Sequence, residues 1–267
     1  MRPIGCLVAL LVAAGFAAPA RSADIAVDLE LVLAVDVSRS MDPAEQQLQR
    51  EGYRLALRHG EVIEAIRSGP LGRVAITYVE WSGPTDQRVI VPWTLVDGQA
   101  AADAFAASIV PSATFGRLGT SISASLAFSA GLLEGNGFVG ERRVIDVSGD
   151  GPNNMGPPVE LARDAVLKRG ITVNGLPIVL RPGVGMSHFD IADLDRYYRD
   201  CVVGGPGAFT IPVTSTSEFE TAIRRKLILE IARRDEPEAR IIRIADGPPP
   251  IKTDCLIGEL LRQQWLR

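Results

Sequence analysis

The run from Leu31 to Ser40 constrains this chain more than any other feature. Leu31, Val32, Leu33, Ala34 and Val35 are apolar without a break, Asp36 follows, and hydroxyls come at every second position after it, at Ser38 and Ser40. An unbroken apolar run reads as a strand buried on both faces, the situation of an inner strand in a parallel sheet. Open α/β sheets bind ligands in the crevice outside the carboxyl ends of such strands. The stretch therefore predicts a cluster of oxygen donors at the end of a buried strand.

The rest of the chain alternates between helix and strand. Asp42, Pro43 and Glu45 form a helix start, with an Asp cap, a proline where its missing N–H is harmless and a Glu that completes a capping box. One long helix is expected from there to Gly69 and Pro70, with Leu48, Leu55, Val62 and Ile66 on its apolar face. Residues 73–81 and 88–93 read as strands, and Ser82 to Asp86 between them is too short for a parallel crossover, so they pair as an antiparallel hairpin. Helices follow at 97–109 and 120–133, a strand at 142–148, a helix from Pro157 to Gly170 and a strand at 171–179. A short helix at 191–198, a strand at 208–213 and a helix at 217–234 complete the pattern. This predicts a doubly wound α/β fold with a mostly parallel sheet, one antiparallel edge hairpin and a C-terminal tail.

The chain has 267 residues, 46% of them hydrophobic, enough for one sizeable core. Three segments are expected. Residues 1–23 read as a signal peptide, since Arg2 precedes an apolar run from Ile4 to Ala18 and small residues follow, with cleavage after Ala20 or Ala23. Residues 28–234 form the α/β domain, and residues 235–267 a C-terminal extension packed on it. The apolar run is too short to serve as a retained anchor, so no membrane span is expected after cleavage. Loss of the signal's two arginines takes the formal charge from −4 to −6, which argues against nucleic acid as a partner. The expected location is periplasmic or secreted. There Cys201 and Cys255 are natural disulfide partners, worth about 3 to 5 kcal/mol if unstrained; the alternative is two buried free thiols.

Two later loops reach for the same sheet edge as Asp36. Thr120 stands where a loop becomes a helix, and Asp150 with Gly151 stands just past a buried strand. Carboxylates and hydroxyls together are hard oxygen donors, suited to Mg2+ or Mn2+. A strand end capped by Asx and Ser turns would explain Asp36, Ser38 and Ser40 alone, but not three loops.

At this point the sequence resembles a known family, the von Willebrand factor A domain with its metal-ion-dependent adhesion site (MIDAS). Asp36, Ser38 and Ser40 match the family's D-x-S-x-S, Thr120 its second-loop threonine, and Asp150 with Gly151 its third-loop pair. The resemblance covers about Asp28 to Arg234. It is similar to a branch of exported bacterial A-domain proteins, through Val144 to Gly151 and Tyr197 to Cys201. The resemblance implies that Ser38, Ser40 and Thr120 ligate the ion, with Asp36 and Asp150 acting partly through water. It also implies a partner protein that presents an Asp or Glu to the ion.

One departure concerns Asp146. In an extended chain Asp146, Ser148 and Asp150 share a side, so Asp146 reads as an acid behind the ligands, as a replacement for Asp150, or as a cap on a neighbouring backbone N–H. His59 and His188 are the only histidines, which leaves a zinc enzyme without its usual ligands. No G-x-S-x-G elbow is present. Two alternatives to a non-enzymatic binding module stand beside it: a magnesium-dependent phosphohydrolase using Asp36, and a structural protein whose ion only stabilises it.

Overall fold

The computed structural model describes residues 23–110, 118–180, 189, 191–232 and 253–267. The predicted signal segment up to residue 22, His188, the last two residues of the expected domain and residues 235–252 of the tail lie outside them.

The long apolar run becomes β1 (Ile25–Asp36), the middle strand of a five-stranded sheet. It is flanked in parallel by β2 (Val74–Trp81) and β4 (Phe138–Gly149). Beyond β4 lies β5 (Thr172–Pro177), also parallel, and beyond β2 lies the antiparallel edge strand β3 (Gln87–Val96). The strand order β3-β2-β1-β4-β5 is the doubly wound, mostly parallel sheet with one antiparallel hairpin that the alternation predicts.

Side-chain alternation along β1 feeds two separate cores. Leu29, Leu31, Leu33 and Val35 pack on one face with residues of α1 (Pro43–Leu57), α2 (Gly60–Arg67), α3 (Gln99–Ser108) and α7 (Phe219–Ala232). Val32 and Ala34 pack on the other with α4 (Ile122–Leu132), α5 (Val159–Leu167) and α6 (Leu194–Tyr197). Each such side chain, fully buried, contributes about 1.5 to 3 kcal/mol, so β1 anchors both layers at once.

Three details differ from the sequence expectations. The single long helix is two, because His59 adopts an extended conformation and caps α2 through its ring nitrogen, with Gly60 following. The break lets Tyr53, Ala56 and Leu57 on one helix and Val62, Ile63 and Ile66 on the next reach the same core, while Leu55 is exposed. The expected strand at 208–213 forms only isolated bridges, Thr210 to Gly175 of β5 and Val213 to Ile178 just past it. Pro177 and Pro212 cannot donate to a ladder, so the pairing is interrupted on both sides.

At the other end of the chain, the last amphipathic stretch forms α8 (Ile257–Trp265). A disulfide joins Cys201, in the wide turn after α6, to Cys255 just before α8. Among the described residues no helix is long and apolar enough to cross a membrane.

Candidate metal centre

Topology places the site. From β1 the chain enters α1 on one face of the sheet, and from neighbouring β4 it enters α5 on the other. Such a reversal opens a crevice at the strand ends. Register pairs Val35 with Ser148, so Asp36 emerges beside Gly149 and the loop that carries Asp150.

The first loop folds onto Asp36. The Ser38 backbone N–H donates to Asp36 Oδ1 at 2.7 Å, an Asx turn that brings the Ser38 and Ser40 hydroxyls within 2.9 Å of each other. The Ser40 hydroxyl then donates to Asp150 Oδ1 at 2.8 Å, joining the first loop to the third. Gln49 of α1 ties the two strand ends together: its Nε2 donates to the Asp36 carbonyl at 2.8 Å and its Oε1 accepts from the Ser148 hydroxyl at 3.0 Å. Gln46 donates to the Val37 and Met41 carbonyls and so closes the loop from behind.

The second loop is held by a pair of asparagines from the third. Thr120 N–H donates to Asn154 Oδ1 at 2.9 Å, and the Asn154 and Met155 amides donate back to the Thr120 carbonyl. Asn153 Oδ1 accepts from the Ser123 amide at 3.0 Å, in the first turn of α4. Gly119, with φ of +96°, makes the bend; a methyl there would meet Met155 Sδ at 2.0 Å. The Thr120 hydroxyl lies 4.0 Å from where a methyl on Gly151 would stand, which puts it beside the third loop.

Asp36 is fully buried, and its Oδ2 has no hydrogen-bond partner among the described residues. Burial pushes its carboxyl well above the usual carboxylate range and the charge of Asp150 adds to the rise, while hydrogen bonding from Ser38 and the Asp150 amide opposes it. The buried Tyr198 hydroxyl lies across Gly149 from Asp36, also unpartnered, its ionisation disfavoured first by burial and then by Asp36 and Asp150. Gly149 is the only residue that fits between them, since a methyl would come to 2.7 Å of the tyrosine oxygen and 2.9 Å of Asp36 Oδ2. An orphaned, buried carboxylate oxygen next to a second carboxylate and a chain of hydroxyls fits a hard divalent cation.

Asp36, Ser38, Ser40, Thr120 and Asp150 are thus brought to one sheet edge, and Asp146 is not. Its carboxylate pairs with Lys226 of α7 at 2.5 Å, and Lys226 also pairs with Glu230. Its side chain points to the α7 face of the sheet, and among the described residues Lys226 is the partner found for it. Gln49 and Tyr198 are the residues that sequence reasoning passed over as parts of the site. Gln49 carries a faint signal: it shares a helix face with Tyr53 and Ala56, a polar group where an apolar one is expected. Trp81 is core and Trp93 donates to the Leu132 carbonyl. Gly204 to Gly207 form a turn, with Gly205 and Gly207 at positive φ.

The fold is shared with solved structures of low sequence identity. Proximal thread matrix protein 1 from the mussel byssus, with a zinc-occupied MIDAS motif, matches with a TM-score of 0.52 and 14% identity, over 78% of this chain and 49% of that one. The pilus adhesin SpaC from Lactobacillus rhamnosus GG, in its open conformation, matches with a TM-score of 0.55 and 14% identity, over 77% and 30%. A von Willebrand factor type A protein from Catenulispora acidiphila gives 0.53 and 14%, over 77% and 43%. This chain therefore spans less than half the length of each, and at these identities what they share with it is the A-domain fold. No curated protein sequence matches the chain. A family profile described as "Protein of unknown function (DUF1194)" matches residues 26–235, and the chain belongs to that family.

Proposed function

We propose that this chain is an exported binding module that captures a protein partner through a divalent cation, Mg2+ or Mn2+, held by Asp36, Ser38, Ser40, Thr120 and Asp150. The observation that carries the reading is the buried, unpartnered Asp36 Oδ2 set beside Asp150 and the joined Ser38 and Ser40 hydroxyls. The ion, when bound, supplies an electrophilic position that an Asp or Glu of the partner fills. Hydroxyl ligands leave its charge largely unneutralised, which strengthens the attraction for an outside carboxylate. Gln49 fixes the two strand ends, and the Asn153 and Asn154 side chains fix the second loop against the third, so the donors are preorganised. Support also comes from the relatives in fold, which include a pilus adhesin, a byssal matrix protein and a structure with zinc in the equivalent motif.

The test is capture from an extract of the native cell envelope, using wild type and Asp36→Ala, each with and without chelator. Partner retention by wild type that is lost with chelator and in Asp36→Ala is the expected result. Retention insensitive to both refutes the reading. Phosphate release from simple phosphoesters that depends on Asp36 would replace it with hydrolysis.

A further inference from the structure

Residues 253–267 return from the C-terminus to the loop that carries Asp150. Gly258 of α8 sits so close to that loop that a methyl on it would meet the Asn153 carbonyl oxygen at 2.0 Å and Pro152 Cβ at 3.2 Å. Next to it, Glu259 Oε1 accepts from Asn153 Nδ2 at 2.7 Å. That same asparagine accepts from the Ser123 amide through Oδ1, and its own amide donates to the Tyr197 hydroxyl at 3.1 Å. Its neighbour Asn154 holds Thr120. The helix is fastened at its start by the Cys201–Cys255 disulfide and by Thr253, whose hydroxyl donates to Asp200. Ile257 and Cys255 pack on the core face that includes Tyr197 and Tyr198, and Trp265 meets Phe189 at 6.3 Å.

A single residue, Asn153, is therefore gripped from four directions: its side chain by α4, the Pro157 carbonyl and α8, and its backbone amide by the Tyr197 hydroxyl of α6. Three of these lie within residues 120–200, and the fourth comes from the far end of the chain. Glu259 is half-buried, and burial raises its carboxyl, so it is held against this loop at some desolvation penalty. A helix added only for bulk does not need a carboxylate aimed at a loop amide.

We propose that α8 is a disulfide-fastened strap in which Glu259, through Asn153, is a positioning residue for the loop bearing Asp150 and for Thr120 across from it. This rests on the reading of those residues as a metal centre and names what keeps that centre in shape. The strap acts on ligand placement and touches no ligand itself. Outer partners of this kind change metal affinity by about 10-fold or more when removed.

The experiment compares full-length oxidised wild type, Glu259→Ala, Glu259→Gln and Gly258→Ala. Two readouts are taken: amide hydrogen exchange at Thr120, Asn154 and Met155 without metal, and titration with Mn2+ alone. Glu259→Ala and Gly258→Ala are expected to speed exchange at these amides and weaken Mn2+ binding about 10-fold. Glu259→Gln, which keeps the acceptor oxygen, restores both, a rescue that a merely structural role would not require. Wild-type exchange and wild-type affinity in both Glu259→Ala and Gly258→Ala overturn the strap and leave the metal centre standing. Faster exchange in a protein whose wild type takes up no Mn2+ supports the strap's hold on the loop and removes the metal reading instead.

Discussion

Two acidic centres lie four residues apart, one within β4 and one in the loop just past it, and they are built on opposite plans. At Asp146 the carboxylate faces α7, where Lys226 pairs with it and with Glu230, and Asn174 donates to Glu230 Oε1 at 3.0 Å. Lys226 also sits 5.3 Å over the Phe209 ring. At Asp150 the neighbours are the Ser40 hydroxyl and Asp36, whose buried Oδ2 has no partner among the described residues. One centre has its cation built into the chain; the other brings two carboxylates together with the Ser38 and Ser40 hydroxyls. The difference separates structure from proposed function: the built-in cation of Lys226 ties α7 to the sheet, whereas the dissociable ion proposed above would leave a position open to a partner.

The largest expected effect lies at the structural centre. Lys226→Met strands two buried carboxylates, and breaking a buried pair in this way costs about 3 to 5 kcal/mol. For a domain of this size that lowers the melting temperature by roughly 10 °C or more. Adding Asp146→Asn to Lys226→Met should recover part of the loss. A melting temperature within a degree of wild type in Lys226→Met would show that the ion pair does not lock α7.

At the other centre the same logic reverses sign. Asp36→Asn removes a desolvated charge, so the metal-free protein should be as stable as wild type or more so, while Mn2+ affinity falls by at least about 100-fold, equivalent to about 2.7 kcal/mol. Wild type in Mn2+ at a hundred times its dissociation constant should gain about 2.7 kcal/mol against unfolding, and Asp36→Asn no more than about 0.4 kcal/mol. A metal-free Asp36→Asn that is strongly destabilised would make this centre structural after all, and erase the contrast.

Between these lies Gly149, where β4 passes between Asp36 and Tyr198. Gly149→Ala forces its methyl against both oxygens, and overpacking of this sort costs about 1 to 3 kcal/mol. Denaturant titration without metal reads the cost. Because Asp36 is displaced with Tyr198, the variant should also bind Mn2+ more weakly. Full affinity in a destabilised Gly149→Ala would mean that Asp36 does not depend on this close approach.

What was legible in the sequence follows the range of the forces involved. The apolar run of β1 and the capping box at Asp42 are local; the box forms as read, with Ala44 and Glu45 amides donating to Asp42 Oδ1 and the Glu45 carboxylate accepting from the Asp42 amide. The hairpin was legible because five residues cannot cross a sheet. The three oxygen-bearing loops could be placed at one edge because strand ends in a doubly wound sheet share that edge. Asp146 could not be placed the same way. Its partner lies on a helix 80 positions later, and a lysine inside α7 carries no mark that distinguishes it from a surface lysine. The break at His59 was hidden for a related reason, since it answers to how two helices share one core. The grip of α8 on Asn153 depends on where the disulfide delivers the chain's end, which no spacing rule encodes.

The effect spread over the widest range of conditions tests whether the built-in cation fully balances its two acids. Glu230 is pushed up to about 7 from an ordinary 4.5, chiefly by burial and then by the charge of Asp146, with Lys226 opposing. Asp146 moves in the same direction for the same first reason. A raised carboxyl holds its proton in the folded chain after the unfolded chain has released it. The stability it contributes is therefore fully present below about pH 4.5 and is lost as pH rises through about 7. The loss over that span is on the order of 3 kcal/mol. Glu230→Gln keeps an acceptor for Asn174 and removes the titration, so its unfolding free energy, measured by denaturant between pH 5 and pH 8, should lose that slope. Identical slopes in the two proteins would mean that Lys226 satisfies both carboxylates as charges, and that the lock on α7 is complete rather than one proton short.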